Sequence, residues 1–149
     1  FEVTGIDIGE AYTWMPTEEM LTKHFNPMLL RYIDKYKKTD KFTPIAYNGG
    51  FDLEVMAGTY RRMGDKYGFG TYQNWMLLDP MIAINSMVAS GDLVVENRKL
   101  GTICAAWGID IQAHNSLSDI QATLRVAMRT LKATKNFNLD CEKVTRNYE

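Results

Sequence analysis

Cysteine is scarce in this chain: Cys104 and Cys141 are the two in 149 residues. Two thiols cannot staple a small disulfide fold, and they lack zinc-ligand spacing, so the composition suits a reducing compartment such as the cytoplasm. An excess of charge is also missing, with 17 basic side chains against 18 acidic ones and a formal net charge of −1. A chain so balanced does not coat nucleic acid by bulk attraction, and any contact with DNA or RNA has to be local. No apolar run approaches the roughly 20 residues of a membrane span, and no basic-then-apolar leader opens the chain, so no membrane partner is expected. Internal repeats and low-complexity tracts are absent.

What remains is the composition of one globular domain, 46% hydrophobic and 23% charged, long enough to bury roughly two-thirds of its unfolded surface. The pattern along it predicts strands alternating with helices. Phe1 to Gly5 reads as a buried strand already under way, so residues upstream are expected. Pro16-Thr17-Glu18-Glu19 reads as a helix start with Thr17 as cap, the helix running to Pro27. Met28, Leu29, Tyr32, Ile33 and Tyr36 suggest a second amphipathic segment, with Lys35 to Lys41 as its solvated end. Residues 44–47 and 76–79 read as short strands. Helices are expected over 51–63, from Pro80, over 100–107 up to Gly108, and over 118–131. In the last helix Ile120, Thr123, Leu124, Ala127, Met128 and Leu131 are expected to face the core, with 133–149 as a peripheral tail. This alternation predicts an α/β fold with a partly parallel sheet.

The acidic residues fall at the ends of these elements. Glu2 lies on the first strand, Asp52 opens the helix after Asn48-Gly49-Gly50, and Asp119 opens the last helix five residues after His114. In an open α/β sheet, strand ends and helix starts face one crevice. Carboxylates gathered there repel one another unless a cation neutralises them, and oxygen ligands suit Mg²⁺ or Mn²⁺. Two such ions can activate water and stabilise the leaving oxygen of a phosphodiester, with an imidazole taking the proton. Taken singly, Asp52 and Asp119 read most simply as helix caps, His114 as a polar loop residue and Glu2 as a strand-edge charge.

The joint pattern goes further. Phe1-Glu2-Val3-Thr4-Gly5, Asn48-Gly49-Gly50-Phe51-Asp52 and His114-Asn115-Ser116-Leu117-Ser118-Asp119 together resemble, in order, the three motifs of the DEDDh 3′–5′ exonucleases, the DnaQ-like group. Leu78-Asp79 and the stretch from Leu100 to Ile109 look like the segments between those motifs. The resemblance implies a ribonuclease H-like mixed β-sheet flanked by helices, with a reduced N-terminal hairpin. It implies that Glu2, Asp52 and Asp119 hold two Mg²⁺ or Mn²⁺ ions and that His114 is the general base. Thr4, Asn48 and Phe51 would line the pocket for the terminal nucleotide. The partners implied are single-stranded or frayed 3′ ends of DNA or RNA, with room for a polymerase or other replication protein as companion.

Two departures from the family pattern stand out. The first motif's Asp would fall one position before Phe1, and Asp7 is offset from that place; the span from Gly5 to Pro16 is short for the two antiparallel strands usual there. They motivate a rival reading as a non-catalytic scaffold. A second rival, a resolvase-like endonuclease, draws on Gly5-Ile6-Asp7-Ile8-Gly9.

Overall fold

The computed structural model describes residue 9, residues 13–112 and residues 115–135. The expected first strand with Glu2, Thr4 and Asp7, the loop position of His114 and the stretch beyond 135 lie outside the described residues.

The first helical stretch is built in three pieces: α1 (Thr17–Met20), a wider π-type turn (Leu21–Phe25) and α2 (Asn26–Leu29). Pro16 takes the cap position and Thr17 is the first helical residue, one step from expectation. Glu18 and Glu19 fall in the first turn, where carboxylates offset the helix dipole. The helix passes through Pro27 instead of stopping there. The wide turn, closed by the Asn26 N–H on the Leu21 carbonyl, shifts the register so that the absent N–H of Pro27 is tolerated. Beyond Leu29 the expected second amphipathic segment does not form. Tyr32 and Tyr36 are exposed, and the Lys41 ammonium donates to the carbonyls of Lys35 and Thr71.

Two further helices complete this half, α3 (Gly50–Arg62) and α4 (Gly68–Tyr72). Leu21, Leu29, Tyr60 and Tyr72 form its core, with the Tyr60 and Tyr72 rings stacked at 6.2 Å and the buried Tyr60 hydroxyl donating to Asn26. Each such apolar side chain contributes about 1.5–3 kcal/mol on burial. The second core gathers α5 (Pro80–Ser90), α6 (Leu100–Trp107) and α7 (Ser116–Lys135) around Ile84, Ile103, Cys104, Ala122 and Val126. Gly91 and Gly108, both at positive φ, end α5 and α6, the latter at the expected position.

The expected ribonuclease H-like mixed sheet is overturned: among the described residues the protein is helical and no strand forms. The segments read as strands instead lie side by side as isolated parallel bridges, Phe42 with Gln73 and Ile45 with Leu78. The reason is a register break. Between the bridges, residues 43–44 on one side stand against 74–77 on the other, so the pairing cannot run on as a ladder. Pro44 adds to this by offering no N–H, although its carbonyl accepts the Leu78 N–H at 2.9 Å.

Helix α7 is rotated from its expected setting. Of the residues expected to face the core, Ala127 is buried and Thr123 half-buried, whereas Ile120, Leu124, Met128 and Leu131 are exposed and Ala122, Val126 and Thr130 are buried instead. The small side chains of the inner face, Ala122 and Val126, pack into the core with Ile84, Ile103 and Cys104. The helix also extends to Lys135, past the point where a peripheral tail is expected. Among the described residues no helix is long and apolar enough to cross a membrane.

Candidate functional site

Helix α3 springs from a tight turn that one carboxylate fixes. Asp79 accepts the N–H of Asn48 at 3.0 Å and of Gly49 at 3.1 Å. It also caps α5 by accepting the Met81 N–H at 2.9 Å. Asn48 sits at φ +56°, a left-handed conformation that Asn tolerates better than most side chains. Gly49 has no room for a side chain, since a Cβ there would lie 2.6 Å from Ala46 Cβ and 2.7 Å from Leu77 Cδ2. The turn therefore has one geometry, and it sets where Asp52 stands in the first turn of α3.

Neither candidate carboxylate is a cap. Gly49 holds the cap position of α3, with no side-chain cap bond there. At α7 the Asn115 side-chain oxygen accepts the Ser118 N–H at 3.0 Å, and the Ser118 hydroxyl accepts the Gln112 N–H at 2.8 Å. Capping by Asn115 leaves Asp119 free for other work. Among the described residues, Asp52 and Asp119 make no side-chain hydrogen bond and no ion pair.

These two carboxylates, far apart in the chain, line one cavity of about 850 Å³. Its wall also includes Ala46, Tyr47, Lys99, Thr102 and Thr123. The electrostatics around it are legible in two neutral groups. Burial pushes the Cys104 thiol above its usual range, and the Asp119 charge adds to the shift. Burial, then the charge of Asp79, pushes the Tyr47 phenol up to about 12, with Cys104 a smaller contributor. Tyr47 is thereby a fixed donor, its hydroxyl held on the Arg98 carbonyl at 2.6 Å.

Of the residues singled out from sequence, Asp52 and Asp119 are brought together. Asn48 is exposed in the turn and Phe51 is 75% exposed at the start of α3, and neither lines the cavity. Glu2, Thr4 and His114 lie outside the described residues. Among the described residues no group of three or more His, Cys, Asp or Glu is placed to hold a metal ion. Two unpaired carboxylates on one cavity nevertheless have the donor chemistry of a hard divalent cation. Sequence reasoning set Leu78-Asp79 only between the motifs, with no part in the site, and gave Tyr47 and Lys99 no role. Asp79 carried a usable signal, an Asp directly before a Pro at a helix start; Lys99 carried none.

No family model, curated protein or solved structure matches this chain. The likeness to the exonuclease motifs rests on the residues themselves.

Proposed function

We propose that this chain is a metal-dependent 3′–5′ exonuclease that releases nucleoside monophosphates from DNA or RNA ends. One observation supports the reading above the others: Asp52 and Asp119, picked out by motif spacing alone, line the same cavity. Unpaired carboxylates on one cavity offer oxygen ligands of the kind that suit a hard divalent cation.

In this reading Asp52, Asp119 and Glu2 hold Mg²⁺ or Mn²⁺. When bound, such ions offset the charge of the scissile phosphate and acidify a water molecule. The chain's own groups supply the remainder. Lys99, on the cavity wall, draws the phosphate in. His114 takes the proton of the attacking water, whose oxygen bonds to phosphorus as the P–O3′ bond breaks. The departing 3′ oxygen is protonated from solvent, leaving a shortened strand and a 5′-monophosphate.

The test is degradation of a 3′-ended oligonucleotide with Mg²⁺ or Mn²⁺, followed by product analysis. The expected product is mononucleotide, with Asp119→Asn at least about 100-fold slower, as for loss of a principal electrostatic group. An unchanged rate for that variant overturns the proposal. Internal nicks would favour a resolvase-like endonuclease, and absent hydrolysis together with absent metal binding would favour a scaffold.

A further inference from the structure

Tyr47 links the two segments that bring opposite charges to the acidic cavity. It directly precedes the Asn48-Gly49 turn that sets Asp52. Its hydroxyl donates to the Arg98 carbonyl at 2.6 Å, and that carbonyl belongs to the peptide entering Lys99. One bond thus ties the segment of Asp52 to the segment of Lys99. The Tyr47 ring is itself anchored, packed against the core formed by Ile84, Ile103, Cys104, Ala122 and Val126. Its phenol, pushed up to about 12 chiefly by burial, stays a protonated donor through the neutral range.

The backbone of Lys99 is held on both sides. Its N–H donates to the Asn97 side-chain oxygen at 3.0 Å, and its carbonyl accepts the Ile103 N–H at 3.1 Å. The same Asn97 oxygen accepts the Thr102 hydroxyl at 2.7 Å. A residue has only two soft backbone dihedrals, and bonds on both flanking peptides leave Lys99 little freedom in either. Among the described residues Lys99 is the one cationic side chain on the cavity wall, which it shares with Asp52 and Asp119. It forms no ion pair among the described residues, so neither carboxylate engages its ammonium. An uncommitted ammonium on such a wall offers a phosphate a direct, charge-assisted partner.

We infer that Tyr47 is a positioning residue for Lys99: by holding the Arg98 carbonyl, its hydroxyl sets the Lys99 ammonium to meet the phosphate of the terminal nucleotide. The inference rests on the exonuclease reading for the identity of that ligand. Its test is a double-mutant cycle on the full chain, read by calorimetric titration with thymidine 5′-monophosphate in Mg²⁺, with oligonucleotide hydrolysis assayed separately. Lys99→Met weakens binding of the monophosphate at least about 10-fold, as for loss of a hydrogen bond to a charged group. Lys99→Arg restores part of that loss. Tyr47→Phe keeps the ring in the core and removes only the hydroxyl, weakening binding about 3- to 10-fold. In the Lys99→Met background the same Tyr47→Phe change alters affinity by less than about 2-fold, because its route to the ligand is gone. A merely structural role for the hydroxyl would give the same loss in both backgrounds, and that result overturns the inference. Parent-like affinity in Lys99→Met, or a parent that does not bind the monophosphate, overturns it as well. The predicted cycle without hydrolysis counts against the nuclease reading alone; hydrolysis with an additive cycle counts against the positioning role alone.

Discussion

The carboxylate of Asp79 receives the backbone N–H of Asn48 at 3.0 Å, joining the turn before α3 to the start of α5. Through this bond and its companion to Gly49, one side chain outside the cavity sets the place of Asp52 inside it. Asp79→Ala leaves three backbone donors without that acceptor and is expected to cost about 2–4 kcal/mol. Urea unfolding followed by circular dichroism reads the loss. Activity should fall as well, because the start of α3 is no longer held.

The two glycines of the same turn should respond oppositely. Gly49→Ala drives a Cβ into Ala46 and Leu77 and is expected to destabilise by about 1–3 kcal/mol. Gly50→Ala meets nothing within 4 Å in the first position of a helix, and is expected to be neutral or to stabilise by about 0.5–1 kcal/mol. Thermal melts of the pair make the comparison directly.

How far the sequence carried these features depends on whether they are local. The starts of α3 and α5 and the stop at Gly108 were legible because Asn-Gly-Gly, Asp-Pro and Gly act through the backbone beside them. The sheet was misread because pairing is set between distant segments, and the unequal spacing between the Phe42–Gln73 and Ile45–Leu78 bridges cannot be seen in either segment alone. The face of α7 was misread because two stripes share the helical period. The larger one, with Ile120 and Leu124, attracts attention, while the smaller one, with Ala122 and Val126, packs. Motif spacing singles out Asp52 and Asp119, whereas the cavity they both line and the dependence of Asp52 on Asp79 needed coordinates.

Alkaline pH should weaken the fold through two phenols. Tyr47 and Tyr60 are both pushed up to about 12, chiefly by burial. For a group whose folded value is raised, the contribution to stability is complete below the unfolded value of about 10 and is lost as pH rises toward 12. Unfolding midpoints measured from pH 8 to 12 should hold steady and then fall. Tyr60→Phe should flatten part of that fall while lowering stability near neutral pH, because the bond to Asn26 is lost.

The most direct test of the central claim is a Mn²⁺ titration, by calorimetry or electron paramagnetic resonance, of the parent chain beside Asp52→Asn and Asp119→Asn. A site shared by both carboxylates predicts binding in the parent and a loss of at least about 10-fold in each single variant, with the double variant little worse than either, as for groups acting as a unit. Parent-like Mn²⁺ affinity in both single variants would contradict the account.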